Sequence, residues 1–407
     1  MSTSRCRSIP EPAPRRGSIL GRVLVPALGC VLMVPACASD SDMPMLESES
    51  ESGSGSGSES GSESGVEPEP EAPRPVIELS ELPYETLSEY GFFVGDMVEG
   101  VPAPGVLPFQ VVATLWADGA DKGRYLLLPP DEALTRTDRD EWELPVGSVL
   151  IKSFFVDLDR RDPGSQLLTI ETRLLVHHED RWRSYIYRWD DEQVEATRLK
   201  AGADVRYSYT DAQGDAAEQI YIIPDENTCG SCHERDDVLR PLGVTTAQFN
   251  RAVERDGETV SQLGWLAEQE VFVEALPDPA TLEAYEDPAG DGDLSARARA
   301  YLHGNCAHCH RPGGGGGSSG LKFTYWETDP AELGVCKVPA AAGPGTGGRA
   351  YDIVPGHPDQ SIVVHRMAST DPEIKMPELP SLLADDFGVE LVSEWIRQMP
   401  ERDCSEG

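Results

Sequence analysis

Two Cys-x-x-Cys-His segments constrain this chain more than any other feature: Cys229-Gly230-Ser231-Cys232-His233 and Cys306-Ala307-His308-Cys309-His310. This pattern is the attachment site of c-type haem. Each cysteine would form a thioether with a haem vinyl group, and the adjacent histidine would stand beneath the iron as its proximal ligand. The pair predicts two covalently bound haem c groups and therefore redox chemistry. Cys229, Cys232, Cys306 and Cys309 would be the attachment points, and His233 and His310 the iron ligands. Zinc is the competing use of two Cys-x-x-Cys pairs. Its halves are usually about 15–20 residues apart; here they lie much further apart, and each is followed by histidine.

The other five cysteines have uses of their own. Residues 1–36 read as an export signal, with Arg15, Arg16 and Arg22 preceding an apolar run, 23–35, too short to span a bilayer. The run ends in Val34-Pro35-Ala36-Cys37, which resembles a bacterial lipobox, so Cys37 would carry lipid. Leu28-Gly29-Cys30 competes with a shorter apolar core, and an ordinary signal peptide is the plainer alternative. Cys6 and Cys30 lie within the signal. Cys336 and Cys404 remain, and an oxidising compartment would let them form one disulfide; two buried free thiols are the alternative.

Composition divides the rest. Residues 37–75 contain Glu-Ser-Gly repeats without apolar periodicity, so they cannot build a core. They read as a flexible tether with an end-to-end distance near roughly 35 Å. Residues 76–228 read as β-rich: in Arg183-Ser-Tyr185-Ile-Tyr187-Arg-Trp189 and Val205-Arg-Tyr207-Ser-Tyr209 the aromatic positions alternate, the period of a strand. An antiparallel sandwich or barrel is expected there. Residues 229–290 read as a first haem-binding segment, with a helix from Thr246 to Val253 capped by Thr245 or Thr246. Residues 291–404 read as a mainly α-helical haem c module. Ser295 would cap a helix leading into Cys306, and a last helix would start near Asp385 or Asp386 and end before Pro400. The fold class expected is a multidomain α+β chain.

The second motif has a candidate sixth ligand in Met376 of Lys375-Met376-Pro377. A thioether is soft, favours Fe(II) and raises the potential. Met367, in an apparent helix, competes, although a methionine there usually fills a core. No methionine lies between His233 and His310. His177 and His178 are the candidates for the first iron, and alternation would point only one of them inward. The bland readings of other features are an interdomain linker for Asp287, Asp291 and Asp293, an edge or salt-bridged lysine for Lys152, and a solvent loop near the haem for the glycine run 313–317.

Residues 291–404 resemble a class I cytochrome c domain through Ala298-Arg-Ala-Tyr301-Leu302, Asn305-Cys306-Ala-His-Cys309-His310-Arg311-Pro312, Val354-Pro355-Gly356-His357-Pro358, Ser361, Met376-Pro377 and Trp395-Ile396. A longer pattern resembles a family of exported bacterial c-type cytochromes with two CxxCH motifs and an N-terminal β-domain. Its marks are Leu115-Trp116-Ala-Asp118-Gly119, Pro145-Val-Gly-Ser-Val-Leu-Ile-Lys152, Glu171-Thr-Arg173-Leu-Leu-Val176, Tyr185-Ile-Tyr187-Arg-Trp189 and Gln248-Phe249-Asn250. The resemblance implies export and haem, and brings no substrate.

Charge narrows the partners. With 71 acidic against 34 basic residues the formal net charge is −37. This argues against nucleic acid and against binding an anionic membrane face, and is compatible with a basic redox partner protein. The expectation is an exported bacterial lipoprotein, periplasmic or on the cell surface, that carries electrons and is held to a membrane by an N-terminal lipid anchor. No catalytic residue is assigned. The alternatives are a peroxidase-like haem enzyme acting at the first haem, and a redox or gas sensor.

Overall fold

The structure, a computed structural model, describes residues 72–340, 342–378 and 381–406. The export signal, Cys37 and nearly all of the 37–75 tether lie outside the described residues. These fall within one unit, Glu69–Gly407. The fold is mixed α+β, and its strands pair antiparallel.

Six strands form a meander in chain order: β1 (Val106–Pro108), β2 (Asp121–Leu127), β3 (Val149–Asp157), β4 (Leu167–His177), β5 (Trp182–Trp189) and β6 (Ala196–Arg198). The β1 and β6 edges do not pair with each other, so this sheet is open and not a closed barrel. A separate hairpin joins β7 (Ala203–Thr210) to β8 (Ala216–Ile223).

Both faces of the sheet are covered. On one, Ile151, Leu174, Tyr185 and Tyr187 pack against Leu87, Tyr90 and Phe92 of the preceding segment. Tyr90 and Tyr187 also bond through their hydroxyls at 2.7 Å. The other face carries two apolar ends. At one, Leu126, Leu175 and Trp182 meet Trp142, Phe249 and Leu263. At the other, Phe154 and Ile186 meet Tyr207, Tyr221 and Ile223 of the hairpin. Between them Arg124, Lys152 and Arg173 stand in register across β2, β3 and β4, and directly paired residues share a face.

The segment after the sheet holds little helix. The first motif ends in α1 (Gly230–His233), followed by the two-residue strands β9 (Glu234–Arg235) and β10 (Val238–Leu239). The helix expected from Thr246 to Val253 stops early: α2 covers Thr246–Phe249, and Val253 lies in β11 (Ala252–Arg255). The reason is Asp256-Gly257, both at positive φ, the tight turn that pairs β11 with β12 (Glu258–Ser261). Thr245 is the cap, accepting from Gln248 N. Next comes α3 (Gln262–Glu268).

Three helices follow: α4 (Leu294–Cys306), α5 (Ile362–Met367) and α6 (Asp386–Gln398). Helix is confined to these and to short 3-10 turns, because residues 307–361 are rich in glycine and proline. Asp293 caps α4 by accepting from Ala296 N. Ser295, expected as the cap, instead accepts from Trp395 Nε1 of α6. Helices α4 and α6 pack through Ala298, Tyr301, Leu302, Val392, Trp395 and Ile396. The approach depends on Gly388, where a Cβ would fall 2.0 Å from the Tyr301 ring. Cys336 and Cys404 are joined by a disulfide. No helix of the described residues is long and apolar enough to cross a membrane.

Candidate functional site

Both motif histidines are held in the same way. His233 Nδ1 lies 2.9 Å from Arg240 O. A carbonyl only accepts, so Nδ1 carries the proton and Nε2 keeps its lone pair. His310 Nδ1 lies 3.0 Å from Ser319 Oγ. Ser319 gives its own proton to Gly316 O at 2.7 Å, so its oxygen accepts from His310 and the tautomer is again fixed. Burial pushes both imidazoles down to about 4. Each is thus a neutral ring with a free, oriented Nε2, the form a metal requires. Gly316 makes room for this geometry, since a Cβ there would sit 3.1 Å from His310 Nδ1. The glycine run expected as a solvent loop therefore packs on the motif itself.

The two motifs touch. Cys309 Sγ approaches Ser231 O at 3.6 Å, and the Cys232 and Cys309 thiols lie within hydrogen-bond reach of each other. Asp236 N donates to Gly313 O at 3.2 Å. No local signal announces this contact, because each motif reads as complete by itself.

Beside the second motif lies a pocket lined by Cys306, His310, Leu321, Phe323, Val363, Met367 and Met376 among others. Its lining is mainly apolar, as in cofactor pockets. Both candidate methionines border it. Met367 is buried, ends α5 and packs into the helical core. Met376 is half-buried and belongs to none of the hydrophobic clusters, so its sulfur is the less committed of the two.

The loop following Met376 is held from the sheet side. The Asp118 carboxylate, itself buried, accepts from Leu382 N at 2.7 Å and Leu383 N at 2.9 Å. Asn305, in α4 next to Cys306, accepts from Trp116 N at 2.7 Å and donates to Thr114 O. Trp116 and Asp118 carried no role in the sequence; they brace the Met376 loop across more than 250 residues.

The first motif is placed differently. Cys229 packs at the Phe154 and Tyr221 end of the sheet, where Lys122, Lys152 and Arg173 converge over the Phe154 ring at 5.7, 5.1 and 4.4 Å. Arg173 is paired with buried Glu171. Lys122 donates to Ala120 O and Arg124 to Lys122 O. Lys152 is neither an edge residue nor salt-bridged: β3 is paired on both sides, and its Nζ has no ion pair or hydrogen bond among the described residues. Burial, reinforced by Arg124, holds its pKa well below the ordinary lysine value. This cluster of basic side chains would be complementary to the two propionates of a haem.

Three further histidines make side-chain hydrogen bonds. His177 donates from Nδ1 to Leu144 O at 2.9 Å and stacks on Trp182. His178 Nε2 bonds Tyr185 OH. Neither is brought to the first motif. Both ring nitrogens of His303 are used, by Tyr285 OH and Tyr325 N. Asp287 and Asp293 accept from backbone amides as turn and helix caps.

The donor sets fit haem c at each motif: paired thiols, one neutral histidine with free Nε2, an apolar cavity at the second and cations at the first. A zinc site would need convergence, yet among the described residues no three His, Cys, Asp or Glu side chains gather around a common point. Comparison with protein-family models, curated proteins and solved structures finds no match.

Proposed function

We propose that the chain is an exported, lipid-anchored, two-haem c-type cytochrome that carries electrons outside the cytoplasm. The observation that carries this reading is the shared state of His233 and His310: in each, Nδ1–H is bound and Nε2 is left free beside two cysteines. Bound there, haem supplies a one-electron iron couple. The chain supplies the proximal nitrogens and the thiols, Met376 as the soft sixth ligand of the second iron, and mainly apolar walls beside it. Residues 291–404 form a class I cytochrome c-like module around the α4 and α6 crossing, and residues 76–228 form a two-layer β sandwich from the meander and its hairpin. The acidic surface suits a basic redox partner.

The test is a haem count by pyridine haemochrome on the matured protein, with two haems per chain expected; a value near one would leave a motif unused. The same sample separates electron transfer from catalysis. The first iron is the one whose sixth position has no assigned ligand, and CO should bind there if the protein is an enzyme or sensor. Failure to bind CO at either haem supports simple electron transfer.

Anchoring has its own test. Cys37→Ser should release the folded protein from membranes into the soluble fraction, since the combined acyl chains of a bacterial lipoprotein account for stable attachment. Retention of the variant after a high-salt wash would show that another element holds the protein.

A further inference from the structure

We infer that Asp140 and Glu141 form an acidic clamp that locks the two haem-attachment motifs together, so that haems bound there act as one magnetically and electrostatically interacting pair. This rests on the two-haem reading proposed above.

The clamp is reciprocal. Arg235, two residues after the first motif, reaches Asp140 Oδ1 at 3.1 Å and Glu141 Oε2 at 3.3 Å. Arg311, directly after the second motif, reaches Asp140 Oδ1 at 3.0 Å and Glu141 Oε1 at 3.4 Å. One pair of carboxylates thus binds one arginine from each motif. Three of these contacts are hydrogen bonds and the approach of Arg235 to Glu141 Oε2 is an ion pair; planar guanidinium groups hold their acceptors in fixed directions, so the bonds define an orientation as well as a distance. Glu141 and both arginine side chains are mostly buried, at 10%, 17% and 13% exposure, so solvent screens the Glu141 pairs far less than surface ones; the Asp140 carboxylate is the exposed half of the clamp.

The carboxylates are themselves anchored. The next residue, Trp142, is buried, donates from Nε1 to Thr246 Oγ1 at 3.1 Å and packs on Phe249. Asp140 O accepts from Thr137 Oγ1. The arginines therefore close onto a fixed point of the core. The result is the direct contact of the motifs, Cys309 Sγ to Ser231 O and Asp236 N to Gly313 O. Gly313 is needed there, because its φ is +77° and a Cβ would lie 2.4 Å from Asp236 Oδ1. Since Cys232 and Cys309 are the adjoining thiols, the groups attached through them start from neighbouring sulfurs. A charge gained at one centre is then felt at the other through protein and not through water.

Asp140 and Glu141 are positioning residues, so the readout is coupling between haems. Holoprotein is counted for haem, and the fully oxidised sample is examined by pulsed EPR. The expected result is two haems per chain with mutual magnetic coupling of the ferric signals, and loss of that coupling when one haem is reduced. The variant Asp140→Asn/Glu141→Gln should retain two haems and each haem's own ligation bands while the coupling weakens. Two haems with uncoupled signals in the wild type overturn the pair and leave the two-haem reading intact. Full wild-type coupling in the variant overturns the clamp. A count below two overturns the two-haem reading and the pair with it. Should the double variant not fold, the wild-type coupling and the single variant Asp140→Asn, whose carboxylate is 60% exposed, decide the matter.

Discussion

Met376→Ala is expected to abolish the sulfur-to-iron absorption band of the second haem and to lower its potential by roughly 0.1–0.3 V, within the span of about 0.8 V that axial ligands command. Met367 and Met376 both border the cavity beside His310, but Met367 is packed among Leu391, Val392 and Trp395, and its removal takes a side chain from that core. Met367→Leu, nearly conserving volume, should cost less than about 1.5 kcal/mol and leave the band in place. Met376 stands on a loop fixed at several points: its own N–H donates to Arg366 O at 3.0 Å, Lys375 beside it bonds Ser381 Oγ, and Asp118 holds Leu382 and Leu383. A ligand on a braced loop loses little entropy on binding metal. If the Met367 variant loses the band and the Met376 variant keeps it, the assignment is reversed.

The sequence was readable wherever a local pattern settled the outcome. The alternating aromatics of Tyr185, Tyr187 and Trp189 mark β5 because one face of the strand enters the core. The final helix is legible because Val392, Trp395 and Ile396 share a stripe that α4 covers, with Asp385 as its cap. Boundaries failed where a tight turn outweighed helical spacing, as at Asp256-Gly257, or where another capping residue stood two positions before the chosen one, as Asp293 does before Ser295. The motifs gave the two histidines and four cysteines, but not what arranges them. The clamp joins Arg311 to Asp140 across 171 residues, and Asp118 reaches Leu383 across 265. Such contacts depend on the folded path, and no spacing along the chain encodes them. Lys152 looked like an ordinary strand lysine because its isolation is visible only once β2 and β4 place Arg124 and Arg173 on either side.

Reducing the Cys336–Cys404 disulfide, or replacing both cysteines by serine, should destabilise the protein by about 4 kcal/mol. The bond closes a loop with a sequence separation of 68, and the chain-entropy estimate for a loop of that size gives this figure. The loop is not a peripheral one. It contains α5, Met376 and α6, so most of the wall opposite His310 lies inside the closed segment. Opening it frees the C-terminal end beyond α6 and gives the unfolded chain many more conformations, while the α4 and α6 packing through Tyr301 and Trp395 is left in place. The folded state should therefore persist at ambient temperature with its sulfur-to-iron band intact, and the thermal midpoint should fall. Thermal unfolding with and without reductant, followed by that band and by far-ultraviolet circular dichroism, measures the loss. A midpoint unchanged by reduction would mean that the segment is held by its side-chain contacts alone. Loss of the band before any unfolding would mean that the disulfide also positions Met376.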